Sequence, residues 1–462
     1  MISSPEAYDL FHRGSLALSQ LEHNGIGINE SYVEQTMDEL DQDIQGLRSQ
    51  MKKTDTAKAW KRQYGQNFNW DSNPQLGVIL FDVMGHDIPE GARTATGQAK
   101  CDQATLEMVA DPCVDLLLKV RKKKKSWDML NGVKRETVNG RAHCVYNLHF
   151  AVTYRSSCDS FNFQQMPVRD PEQAEMVRRA FVASKGRRLV ETDFGGIEVK
   201  VAYCYHKDPR MFAYLTDPTK DMHRDMAAQS FKLKPTQIVK PVRHIGKNMF
   251  VFPQFYGSWY RECARNMWGA INRQDDCLLK GTDRTVLEHL NRKGITELGS
   301  CEGDTIPGTF EHHMKKVEQD FWRNRFSVYN QWKDDWFDAY QREGGFETLT
   351  GFYLSGTYSK NDVTNYPVQG SAFHCLLLCL IEIQRRLRKK KMKSRIVGQI
   401  HDSIIGDVVD RELDDYLHIC HDVMTKWLLR KWKWIEVPMD IEAEVTPING
   451  TWHDKKTRDI PV

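Results

Sequence analysis

The chain of 462 residues is 40% hydrophobic and 27% charged, long enough for two or three subdomains with sizeable cores and too apolar for a disordered polymer. Its formal net charge of +3 averages over basic runs at 119–127, 385–395 and 430–434, so local charge is more informative than the total. No run of about 18 apolar residues appears, and the start MISSPEAYDLFHRGS lacks the plan of a signal peptide, which predicts a soluble intracellular protein with no membrane partner.

In chain order, residues 5–52 read as helices with apolar residues at three-to-four spacing, the first ending at Gly25 and the second capped by Asn29. A looser region follows, and then two helices lead into the lysine run RKKKK. From 131 to 200 the pattern is one of strands and turns, as in RAHCVYNLHF and RRLVETDFGGIEVKVAYCY. Residues 220–345 read as mainly helical, with 311–345 the longest piece. The last hundred residues combine a helix over 370–391, the stretch QIHDSIIGDVV at 399–409, a helix over 411–431 and a closing strand PMDIEAEV. The eleven cysteines are scattered without a CxxC pair, which predicts reduced and mostly buried thiols rather than a zinc site.

Two aspartates stand where apolar strands end. Asp402 interrupts QIHDSIIGDVV, and burying a carboxylate there requires a cation, a set of donors or a turn that lifts it into water. Asp193 ends the run LVETD and is followed by Gly195 and Gly196, which permit a sharp backbone change. Each has a plainer reading, as a helix cap or a hairpin turn. Between them lies KPVRHIGKNMFVFPQFYGSWY, in which Arg243 and Lys247 are four apart on one helix face, where two cations repel unless an anion such as a triphosphate sits by them. Aromatic residues follow that could stack on a base, and His223 upstream is a further phosphate donor or a structural histidine.

Taken in order, VYNLHFAVTYRSSCDSFNFQQMPVR, TDFGGIE, DMHRDMAA, RHIGKNMFVFPQFYG, NYPVQGSAF and QIHDS resemble the motifs of the polymerase region of family A DNA polymerases, especially phage-encoded members. Nearly the whole chain is covered by the resemblance. It implies an α+β right-hand polymerase fold with an antiparallel-sheet palm, helical fingers and a helical thumb. The expected division is N-terminal helices and thumb at 1–130, palm at 131–222 and again at 348–462, and fingers at 223–347. The implied activity is template-directed extension of a DNA primer from dNTPs, in phage DNA replication in a bacterial cytoplasm.

The resemblance also implies roles. Phosphoryl transfer to a primer hydroxyl suits two divalent cations about 4 Å apart, and hard oxygen ligands suit Mg²⁺. Asp193, Asp402 and the carbonyl of Phe194 are the implied ligands. Arg243, Lys247 and His223 would bind the triphosphate, with Lys247 placed to protonate the leaving pyrophosphate. Glu198, beside Tyr256, would cover the 2′ edge of the incoming sugar. Arg155, Gln164, Arg169, Asn365, Gln369 and His401 correspond to positions that contact primer–template DNA, and RKKKK fits a thumb holding duplex phosphates. Thumb-like similarity begins within the first 30 residues, so no 3′→5′ exonuclease domain is expected, and a separate exonuclease or processivity subunit is an expected partner.

The chain departs from the family pattern at several positions. Gly195-Gly196 replaces Ser-Gln, Ser403 stands where a glutamate is more frequent, and Asn361 stands where an arginine is usual. Lys247 and Tyr256 are nine residues apart rather than eight, which on a regular helix puts them on opposite faces. A compensating bulge or kink is expected at Pro253. The base-stacking residue is Val251 counted from Lys247 and Phe252 counted from Tyr256, with Phe252 preferred because stacking needs a ring. Two rivals remain: a single-subunit RNA polymerase, disfavoured by Glu198, and a catalytically silent DNA-binding protein, disfavoured by the intact aspartates.

Overall fold

The computed structural model describes residues 4–89, 92–94, 96–168, 170–273, 277–300 and 303–461. A five-stranded antiparallel sheet lies at its centre, in the order Lys456–Thr457, Ile441–Val445, Arg187–Phe194, Ser403–Val409, Arg395–Ile400. Residues 395–409 form a hairpin, and Arg187–Phe194 pairs with both Ser403–Val409 and Ile441–Val445. Apolar residues of these strands, including Val190, Ile404 and Ile405, are fully buried in one core with the N-terminal helix Pro5–Asn24 and the long helix Lys360–Lys389. A second core gathers residues from Tyr203 to Tyr329, and a third gathers residues from Ile44 to Val120.

Local signals account for most helix ends. Ser4 accepts from the Ala7 N–H at 3.0 Å and Pro5 opens the first helix, which stops where Gly25 turns to φ +56°. Asn29 caps Glu30–Met51 as expected, accepting from the Tyr32 N–H at 3.1 Å. All ten cysteines among the described residues are buried, and Cys301 lies outside them.

Several expected elements differ. The helix expected over 370–391 is Lys360–Lys389 and runs through Pro367. Proline cannot donate to the carbonyl four residues back, that of Val363, and the indole Nε1 of Trp336 donates to that oxygen instead at 3.1 Å. The breaker is thus repaired by a side chain distant in sequence. By length and composition alone this helix could cross a membrane, but 89% of its apolar window is buried inside the protein. The pattern of strands and turns expected over 131–200 is overturned in two places: Pro171–Arg178 is a helix, and after Asp193 the chain turns at Gly196 (φ +60°) into a helix, Ile197–His206. The expected helices over 311–345 and 411–431 are each interrupted by a π turn, at Phe321–Arg325 and Asp422–Trp427.

Candidate active site

The sheet brings the two aspartates together. Asp193 lies next to the end of its strand, paired in register with Ser403, and His401-Asp402 is the two-residue turn of the neighbouring hairpin, with His401 at φ +50°. The Phe194 N–H faces the Asp402 carbonyl at 3.4 Å, while the Phe194 ring is buried. The turn is held from beneath: Gln399 Nε2 donates to the His401 carbonyl at 2.7 Å, and Gln164 donates to Gln399 Oε1 at 2.8 Å and to Ser156 Oγ at 2.9 Å. Gln399 is buried, and no role was assigned to it from the sequence although it opens QIHDS.

The aspartates are electrostatically unsettled. Burial, then the Asp402 and Glu191 carboxylates, push Asp193 up to about 8. Its Oδ1 is buried without a hydrogen-bond partner. Burial also raises Asp402. Across the sheet, Glu442 is the register partner of Asp193 and adds to the negative field around it, which the reading of PMDIEAEV as a closing strand did not anticipate. Glu191 differs: burial would raise it, but Lys455 at 2.6 Å and the Trp452 indole at 2.9 Å hold it below its usual range. An orphaned carboxylate oxygen among carboxylates suits a divalent cation, so Asp193 and Asp402 fit the implied metal ions. No group of three or more acidic, histidine or cysteine side chains with metal-holding geometry occurs among the described residues.

The Gly195 departure has a steric cause. A Cβ there would collide with the Asp440 carboxylate, which pairs with Lys200, and the Gly195 N–H donates to the Asp440 carbonyl at 3.0 Å. Lys200 is buried and pushed down to about 8 by that burial.

Beside Asp402 opens a cavity of about 230 Å³ lined by Glu198, Phe252, Tyr256, Asn365, Gln369 and Asp402, among others. Glu198 Oε2 accepts from the Tyr256 hydroxyl, and Oε1 faces Arg155 Nη1 at 3.4 Å. Burial, then the Glu198 carboxylate, raise Tyr256 above its usual range. Asn365 Nδ2 reaches the Tyr256 carbonyl at 3.5 Å, and His401 is lowered by burial and then by Arg155.

Arg243, Lys247 and His223 are not among the residues that line this cavity. Arg243 does not face Lys247 unpaired, as the sequence suggests, because Asp221 takes it at 2.6 Å. Lys247 Nζ lies 5.2 Å from the centre of the Phe252 ring, which is 5.6 Å from that of His223. Burial, followed by Arg243 and Lys247, lowers His223 to about 4. The irregularity expected at Pro253 occurs just before it, as a π turn over Lys247–Val251 in which the Phe252 N–H donates to the Lys247 carbonyl. Val251 is fully buried while Phe252 faces the cavity.

Arg169 lies outside the described residues. Three lysines of the basic run are paired internally: Lys122 with Asp170 and Glu172, Lys123 with Asp43, and Lys124 with Asp71. These exposed pairs tie the helix Pro112–Arg135 to its neighbours, each contributing little.

The model of DNA polymerase family A matches residues 34–275 and 324–454, and the chain belongs to that family. DNA polymerase I of Chloroflexus aurantiacus is 24% identical over 457 residues, covering 96% of this chain and 43% of that protein. DNA polymerase I of Aquifex aeolicus is 27% identical over 387 residues, covering 82% of this chain and 58% of that protein. The chain thus spans roughly half the length of these relatives. A solved structure, the POL domain of Pol1 from M. smegmatis in complex with DNA primer-template and dNTP, aligns with a TM-score of 0.72 at 20% identity, covering 96% of this chain and 70% of that one.

Proposed function

We propose that the chain is a DNA-directed DNA polymerase that extends a primer on a DNA template from dNTPs. The observation that carries this reading is the adjacency of Asp193 and Asp402, an underpaired carboxylate pair beside a cavity whose wall holds the Glu198–Tyr256 contact. In this reading the sheet is the palm, the core between Tyr203 and Tyr329 belongs to the fingers, and that between Ile44 and Val120 to the thumb. Separate cores support such a division.

Asp193 and Asp402, with the Phe194 carbonyl, would hold two Mg²⁺ ions. When bound, the ions supply activation of the primer hydroxyl and neutralisation of the leaving pyrophosphate. The remaining work falls to the chain itself. Arg243 and Lys247 bind the triphosphate, and His223, neutral at pH 7, contributes as a hydrogen-bond donor rather than a charge. Lys247 gives a proton to the leaving pyrophosphate. Phe252 stacks on the incoming base, and Glu198 with Tyr256 excludes a 2′-hydroxyl. Arg155, Gln164, Arg169, Asn365, Gln369 and His401 contact primer–template DNA.

The test is extension of a primer–template with Mg²⁺, comparing dNTPs with rNTPs and matched with mismatched primer ends. Templated extension that strongly prefers dNTPs is expected. Equal use of both sugars would favour the RNA polymerase reading, and no extension would favour a silent DNA-binding protein. Release of the mismatched end in the same assay reads any 3′→5′ exonuclease activity of the chain itself. A phage replication role is the setting this reading carries over from the motif resemblance.

A further inference from the structure

Glu198 is held at both carboxylate oxygens, Oε2 by the Tyr256 hydroxyl and Oε1 by Arg155 at 3.4 Å. The Arg155 and Glu198 side chains are each 29% exposed, so this contact is partly shielded from water, where a charge-assisted hydrogen bond orients well. The backbone that presents Arg155 is fixed in an unusual way. Tyr154 stands at φ +58°, a conformation unfavourable to an L side chain and kept only where its surroundings hold it. Here the surroundings do so. Its ring packs at 5.0 Å from that of Phe352 and 6.0 Å from that of Phe11, its hydroxyl donates to the Tyr353 carbonyl at 3.1 Å, and its own carbonyl accepts from His374 Nε2 at 3.1 Å. A rigid Tyr154 leaves Arg155 with its guanidinium aimed at Glu198.

We infer that Arg155 is a specificity-determining residue for the sugar of the incoming nucleotide, acting by positioning the Glu198 carboxylate rather than by touching the sugar. The inference rests on the polymerase reading above, in which Glu198 faces the 2′ edge. Held at one oxygen only, Glu198 can rotate about its remaining contact and make room for a 2′-hydroxyl. Held at both, it cannot. Arg155 thereby links the primer-side loop to the choice of sugar.

The experiment measures kcat/KM for a dNTP and the matching rNTP on one primer–template in wild type, Arg155→Ala, Glu198→Ala and the double variant. Arg155→Ala should narrow the deoxy-over-ribo ratio by about tenfold, the lower end expected for one charged hydrogen bond, beyond any loss common to both nucleotides. In the Glu198→Ala background the same change should leave the ratio as it is. A ratio unchanged in Arg155→Ala but narrowed in Glu198→Ala overturns the inference and leaves Glu198 as the gate. Additive narrowing in the double variant also overturns it. A ratio unmoved by Glu198→Ala overturns the gate reading itself. If Arg155→Ala extends too slowly, equilibrium binding of the dNTP and rNTP to complexes with a dideoxy-terminated primer reads the same ratio without chemistry.

Discussion

The Tyr256 hydroxyl donates to Glu198 although nine residues separate Tyr256 from Lys247, a spacing that on a regular α-helix turns the two to opposite faces. The π turn over Lys247–Val251 takes up the extra residue, and beyond it the helix resumes in the phase that an eight-residue spacing would have. One consequence is that Phe252, not Val251, turns to the cavity.

Phe252→Ala should therefore raise the KM for dNTPs by about tenfold or more, since stacking on one base contributes roughly 1–3 kcal/mol. Val251→Ala should leave KM nearly unchanged but lower stability by roughly 2 kcal/mol, because a fully buried side chain is truncated. Steady-state kinetics and chemical denaturation of the two variants separate the roles, and the reverse pattern would assign stacking to Val251.

Lys247→Ala should act mainly on turnover, with a loss of about two to four orders of magnitude, the size of a general-acid contribution. DNA binding should change little. Single-turnover extension checks this, and an unchanged rate of the chemical step would remove the role.

His374 makes stability depend on pH. Burial lowers it from 6.5 to about 3, and it is neutral in the fold, donating from Nε2 to the Tyr154 carbonyl and accepting at Nδ1 from the Thr350 hydroxyl at 2.7 Å. Between those values the unfolded chain binds a proton that the folded chain does not, so stability is full above pH 6.5 and falls as pH drops toward 3. The slope from this residue is about 1.4 kcal/mol per pH unit. His374→Gln should flatten the acid limb of a denaturation-midpoint against pH curve, and an unchanged limb would contradict the assignment.

Trp336→Phe removes the donor that satisfies the Val363 carbonyl opposite Pro367. The expected cost is roughly 1–3 kcal/mol in wild type and clearly less in a Pro367→Ala background, where a backbone N–H becomes available to the same oxygen. Thermal denaturation of the four-variant cycle checks this, and equal costs in both backgrounds would show that the indole does not repair the helix.

The relation of Asp193 to Asp402 was legible only through the resemblance of TDFGGIE and QIHDS to the family's motifs, since each aspartate alone reads equally as a helix cap or a hairpin turn. The helix caps at Asn29 and Gly25 were readable directly, since each signal lies within a residue or two of its effect. Features set by distant contacts were not. Pro367 reads as a helix stop until Trp336 is brought to it, and Arg243 reads as unpaired until Asp221 packs beside it. Glu442 and Gln399 were visible as residues, but their relation to the aspartates comes from strand order and from the packing beneath the hairpin turn. The run after Gly196 could be strand or helix because its apolar residues satisfy both periods over so short a length.

The central claim is that Asp193 and Asp402 serve chemistry rather than folding or DNA binding, and the most direct measurement is single-turnover primer extension by Asp193→Asn and Asp402→Asn beside their affinity for primer–template DNA. Affinity should stay largely intact, because binding rests on many phosphate contacts. Extension should fall by about three orders of magnitude or more, as expected when charge at the reacting centre loses its partner. Turnover retained at more than a few per cent of wild type in either variant would contradict the account.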